Sequence, residues 1–197
     1  MSAKVGDDSY EIAVLSFNEA VAVDVISSGY STTTVFELQR REHESGVTWE
    51  LTARELPHHF TKRYDNGDLK SMIESYADTT RTEDISFLAA RRNGAVAGML
   101  AYQRLQWNDS LWLLDIRVRE QERRSGAGTS LVRALQFSCS LRGYRGISVE
   151  TQINNYPAIQ FYLRQGFQIV GFNETLYTND DLRDQDVACF LFWRAGQ

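Results

Sequence analysis

The chain has 197 residues, 43% of them hydrophobic and 24% charged, with a formal net charge of -5 and a sequence pI near 5.3. That is the size and mix of one ordinary globular domain with a substantial core. The acidic balance argues against a general nucleic-acid binder, and no apolar run approaches the roughly 18 residues of a membrane span.

Residues 1–12 carry no apolar signal core, so a cytoplasmic location is expected. Cys139 and Cys189 fall among apolar neighbours and read as buried free thiols, ahead of a disulfide or a two-thiol metal site. His43, His58 and His59 have no metal-ligand spacing, so no metal is expected. In chain order, 11–16 reads as a strand and 18–26 as a short helix. Residues 33–41 and 47–55 read as a polar-faced antiparallel pair that turns at 43–46. Leu69, Met72, Ile73 and Tyr76 share one face of a helix over 68–76. Strands at 84–92 and 95–105 meet at Asn93-Gly94, a strong hairpin signal. After the turn Asn108-Asp109-Ser110 comes a strand at 111–119. Leu131, Val132, Leu135 and Cys139 mark the buried stripe of a helix from about Gly128 to Arg142, stopped by Gly143. A strand at 147–152, a helix at 157–165 and strands at 167–178 and 187–194 complete the series. The strands at 111–119 and 147–152 flank a helix, so they should be parallel neighbours through a right-handed crossover. The order predicts a mixed α/β sheet with helices on both faces.

The turn between the strand at 111–119 and the next helix reads Arg123-Arg124-Ser125-Gly126-Ala127-Gly128. A glycine-rich turn entering a helix offers backbone N–H groups and a favourable dipole to an anion. A dinucleotide fingerprint would need a third glycine where Leu131 stands, and a Walker-type loop would need a lysine before Thr129-Ser130. The pattern R-x-x-G-x-G remains, fitted by Arg123, Gly126 and Gly128, beside the plainer reading of a structural turn with solvated arginines.

Downstream, Asn155, Ala158, Tyr162, Gly166 and Phe167 follow the pattern N-x-x-A-x-x-x-Y-x-x-x-G-F. Together with the turn, this resembles the acetyl-CoA site of the GNAT superfamily of N-acetyltransferases. The resemblance covers about residues 84–195. It implies a GNAT-type mixed, mostly antiparallel sheet with a splayed parallel strand pair and helices on both faces. It implies one acetyltransferase domain over 1–197, with 1–83 supplying acceptor-side elements and 84–195 the acetyl-CoA-binding core. Trp107-Asn108-Asp109, Glu150-Thr151-Gln152, Asn154-Asn155, Pro157-Ala158 and the late run Phe190-Leu191-Phe192-Trp193 are similar to streptothricin acetyltransferases. So, more faintly, are Phe36-Glu37-Leu38 and the stretch from Trp49 through Arg54 to Tyr64.

The resemblance implies that the N–H groups of Arg124, Ser125, Gly126, Ala127, Gly128 and Thr129 cradle the CoA pyrophosphate, with Arg123 adding a charged contact. It implies that the backbone of Ile116, Arg117 and Val118 pairs with the pantetheine arm and holds the oxyanion. Tyr162 matches the family's general acid for the leaving thiolate; the other reading is a core aromatic. For the base, Asp115 and Glu150 are the candidate carboxylates. Asp115 shares a strand face with Arg117 and Arg119, so a salt bridge is the competing reading. Glu150 either binds a cationic acceptor or sits on a solvated face. A water chain could also replace a single base. Asn155 either caps the last helix or bonds the CoA arm, and Pro157 suits that helix's first turn. The activity implied is acetyl transfer from acetyl-CoA, as co-substrate, to a small-molecule amine, with a streptothricin-like antibiotic favoured. The alternatives are another amine (a polyamine, an aminoglycoside or a protein amino group) and a non-catalytic CoA-binding sensor. The aromatic last strand offers an edge for a homodimer.

Overall fold

The computed structural model describes residues 10–23, 29–64 and 85–196. The helix expected over 68–76 lies outside them. The elements run β1 (Glu11–Leu15), α1 (Phe17–Ala22), β2 (Gly29–His43), β3 (Gly46–Arg63), β4 (Ile85–Arg92), β5 (Ala95–Leu105), β6 (Ser110–Val118), a single 3-10 turn (Glu120–Glu122), α2 (Ala127–Leu141), β7 (Gly146–Gln152), α3 (Tyr156–Arg164), β8 (Gln168–Asn173), α4 (Asp181–Asp184) and β9 (Ala188–Arg194). They form two compact units. One takes Met1–Ser28, Tyr64–Val149 and Trp193–Gln197; the other takes Gly29–Arg63 and Glu150–Phe192.

In the first unit β1, β4, β5 and β6 pair antiparallel in that order, and β6 then pairs parallel with β7. The α1 helix starts in a capping box: Ser16 Oγ accepts the Glu19 N–H while the Glu19 carboxylate accepts the Ser16 N–H. The Asn93-Gly94 hairpin forms as expected, with both residues at positive φ. Leu131, Val132, Leu135 and Cys139 of α2 are fully buried, which realises the stripe in the sequence. Gly98 of β5 lets this layer close up. A Cβ there would stand 2.8 Å from the Arg117 carbonyl oxygen and 3.4 Å from Leu131.

In the second unit β2 and β3 make a long two-stranded ribbon, and β8 pairs antiparallel with β9. The ribbon outruns the expected 33–41 and 47–55. Its ladder steps from Thr34↔Glu55 to Thr32↔Phe60, skipping the stretch around Pro57, which has no N–H to give. The strand expected over 167–178 ends at Asn173. Asn173 Oδ1 accepts the Thr175 N–H, and the buried Asp181 accepts the N–H groups of Tyr177 and Thr178. These side-chain acceptors take backbone donors that a ladder would otherwise use, so the chain leaves the sheet.

Candidate active site

The turn after β6 is built for backbone chemistry. Arg124 and Gly126 both adopt left-handed conformations, φ 63° and 99°. Alternating conformations of this kind point successive N–H groups to one side, making a concavity that suits an anion. Gly126 is the N-cap of α2 and carries no capping side chain, so the helix start offers its first N–H groups and the positive end of its dipole. Arg123 and Arg124 are exposed beside it. Arg123 Nε reaches the Val118 carbonyl at 3.4 Å, tying the turn to the end of β6.

The β6 strand carries a bulge at Leu114, where Ala101↔Asp115 gives way to Tyr102↔Leu113. Its parallel register with β7 covers Leu111↔Ile147, Trp112↔Ser148 and Leu113↔Val149. Arg119 donates its N–H to Ala97 on the β5 side, 2.9 Å. Alternation along the strand therefore turns the N–H and C=O groups of Ile116 and Val118 to the opposite edge. This is the geometry an added strand-like ligand needs.

Asp115 lies 2.6 Å from Arg117 Nε, and both side chains are largely buried. The salt-bridge reading of Asp115 is therefore realised. Burial raises the Asp115 pKa from its ordinary value, and the Arg117 guanidinium pulls the other way. Arg119 is engaged elsewhere, donating to the Val96 carbonyl at 2.6 Å.

In the second unit, Glu150 lies on β7. It is half-buried and accepts a hydrogen bond from the Tyr177 hydroxyl. Burial pushes its pKa above the ordinary value. The Tyr177 bond lowers it, the Asp186 charge raises it and the Lys62 charge lowers it. Asp186 holds Lys62 Nζ at 2.7 and 2.8 Å and accepts from Asn154 Nδ2 at 3.0 Å. Asn154 in turn accepts from the Tyr30 hydroxyl at 2.6 Å. These side chains come from β2, β3, β7 and the loops before α3, α4 and β9, and the Asp186 charge bears on Glu150. Asn155 caps α3, its Oδ1 accepting the Ala158 N–H at 3.3 Å, with Pro157 in the first turn. Tyr162 is buried on α3, its ring 5.3 Å from Phe161 and 5.4 Å from Phe167.

Sequence reasoning missed Tyr177, Asp186, Lys62 and Tyr30 in this unit. The turn-forming residues Asn173, Thr175 and Thr178 were the available signal for the loop that carries Tyr177. It also missed Tyr10, Arg92 and Glu122, which contact Ser125 or one another beside the turn after β6. Cys139 and Cys189 are free and buried, their pKa values pushed up by burial to about 11 and about 12, so neither is a thiolate nucleophile near neutrality. Among the described residues no three or more His, Cys, Asp or Glu gather as metal ligands, and no helix is long and apolar enough to cross a membrane.

A profile of the Acetyltransferase (GNAT) family matches residues 36–167. The chain belongs to this family. A streptothricin acetyltransferase of Streptomyces lavendulae is 29% identical over 172 residues, 86% of this chain and 87% of its own length. Streptothricin acetyltransferase A of Bacillus subtilis (strain 168) is 26% identical over 151 residues, 77% of this chain and 82% of its own. Among solved structures, a nourseothricin acetyltransferase superposes with a TM-score of 0.74 at 23% identity, covering 95% of this chain and 99% of that one. A Bacillus anthracis protein assigned as a streptothricin acetyltransferase, solved with acetyl coenzyme A, gives 0.72 at 24% identity, covering 94% and 98%. The fold is thus the GNAT fold: a mixed, mostly antiparallel sheet with the parallel pair β6–β7. As a member of this family, the protein is an acetyltransferase.

Proposed function

We propose that this acetyltransferase uses acetyl-CoA to acetylate an amine of a small cationic molecule, a streptothricin-like antibiotic being the favoured acceptor. The observation that carries the acetyl-CoA half is the left-handed turn at Arg124 and Gly126, opening α2 without a capping side chain. Its backbone donors and the flanking Arg123 fit a pyrophosphate. The acceptor half is supported by Glu150 and Asp186, two interacting carboxylates among tyrosines. The names of the relatives from Streptomyces lavendulae and Bacillus subtilis point the same way.

In this reading the N–H groups from Arg124 to Thr129 hold the pyrophosphate, and the outward edge of Ile116–Val118 pairs with the pantetheine amides. An N–H on that edge stabilises the oxyanion as the amine attacks the thioester carbonyl. An amine is protonated near neutrality and must first lose a proton. Glu150 takes that proton directly or through water, its raised pKa bringing it closer to the task. Asp115 is better suited to structure, because Arg117 already claims it. Tyr162 gives a proton to the departing CoA thiolate. The reaction belongs to the cytoplasm, where free thiols such as Cys139 and Cys189 persist.

The test is thiol release from acetyl-CoA with streptothricin against a panel of polyamines, aminoglycosides and peptide amines. Turnover with streptothricin supports the reading. Turnover only with another amine moves the acceptor assignment to that amine. CoA binding without turnover of any amine would favour a sensor.

A further inference from the structure

The turn that is to receive an anion is entered by an acidic residue. Glu122 closes the 3-10 turn Glu120–Glu122 and directly precedes Arg123. Left mobile, its carboxylate would compete with any phosphate for Arg123 and Arg124 and would repel the anion itself. It is not left mobile. Its Oε2 accepts the Tyr10 hydroxyl at 2.7 Å, lies 3.1 Å from Arg92 Nη1 and lies 3.3 Å from Ser125 Oγ. Tyr10 Oη lies 2.6 Å from Ser125 Oγ, and Ser125 also donates to the Glu122 carbonyl. The Arg92 guanidinium stacks 4.4 Å from the centre of the Tyr10 ring.

Both partners are anchored. Tyr10 is buried and immediately precedes β1, and Glu11 at the start of β1 pairs with Arg91 of β4, next to Arg92. The ladder that fixes β1 on β4 therefore fixes the two groups that hold Glu122. The Tyr10 bond and the Arg92 charge both favour the ionised carboxylate, so the clamp holds a full negative charge.

We propose that Tyr10 and Arg92 are positioning residues for the turn: they fix the Glu122 carboxylate where it meets Ser125 and offset its charge, and so leave the N–H groups and arginines of Arg123–Thr129 to the CoA pyrophosphate. The inference rests on the acetyl-CoA reading above.

The test compares CoA with pantetheine, which carries the same thiol arm without phosphates. Binding is measured by calorimetry, and KM is measured with acetyl-CoA and with S-acetylpantetheine. In Tyr10→Phe and in Arg92→Met, Kd for CoA and KM for acetyl-CoA should rise about tenfold, with kcat kept and the pantetheine values within about twofold of wild type. Adding Glu122→Gln to Tyr10→Phe should return the CoA values to within about twofold of wild type, because an amide has no charge to restrain. Equal losses for CoA and pantetheine, unchanged CoA binding, or failure of Glu122→Gln to rescue would each overturn the proposal. Glu122→Gln alone keeps the chain intact should the other variants fold poorly. It should bind CoA within about twofold of wild type, and a larger loss overturns the proposal. Wild-type protein that binds neither CoA nor acetyl-CoA would instead overturn the acetyl-CoA reading itself.

Discussion

The turn after β6 and the Glu150 cluster are built by opposite means. At the turn, the groups offered to a ligand are main-chain N–H groups, aimed by two left-handed residues and a helix start. Side chains there hold the loop: Ser125 bonds to Glu122, and Arg123 reaches back to Val118. In the Glu150 cluster the polar groups are side chains from six stretches of chain, held by hydrogen bonds and one ion pair. A backbone cradle reads shape and charge, which suits the CoA pyrophosphate we propose for it. A side-chain site can be retuned one residue at a time, which suits the acceptor selection we propose for it.

Tyr162→Phe gives the largest effect expected in the second unit. It should lower kcat about a hundredfold with KM for acetyl-CoA little changed, measured by thiol release, and an unchanged kcat across pH would remove Tyr162 as the acid. In the turn, Gly126→Val forces a β-branched residue into a left-handed conformation. It should raise KM for acetyl-CoA about thirtyfold while leaving KM for the amine alone. If the amine KM moves instead, the division of labour between the two regions is wrong.

The pH profile sharpens the contrast. A base must be deprotonated, and Glu150 sits above its ordinary pKa. The ascending limb of kcat/KM for the amine should therefore lie higher in pH than an ordinary glutamate would place it. The Tyr177 bond lowers Glu150, so Tyr177→Phe should move that limb to higher pH. The Asp186 charge raises it, so Asp186→Asn should move the limb to lower pH. Identical profiles in wild type and both variants would exclude Glu150 as the titrating base. The smallest expected change is in stability. Gly98→Ala presses a methyl on the Arg117 carbonyl and should cost about 1–3 kcal/mol in denaturant unfolding, with some rise in KM for acetyl-CoA because Arg117–Val118 must shift.

Local order in the chain specified the β4–β5 hairpin, the buried stripe of α2 and the turn from Arg123 to Gly128. Each depends on residues within a few positions of one another, so spacing and glycine placement carried the information. The same holds for Asn155 and Pro157, which cap and start α3 within one turn. The end of β8 at Asn173 was decided otherwise: Asp181 takes the backbone donors of Tyr177 and Thr178, and the alternation of apolar residues before them carries no trace of that competition. The ion pair of Asp115 needed a rotamer choice that strand periodicity leaves open. Tyr30, Lys62, Asn154, Tyr177 and Asp186, like Tyr10, Arg92 and Glu122, are ordinary polar residues with no common spacing. Only folding gives them partners up to 124 residues away, because a side-chain hydrogen bond is fixed by position in space while a turn is fixed by the next few dihedral angles.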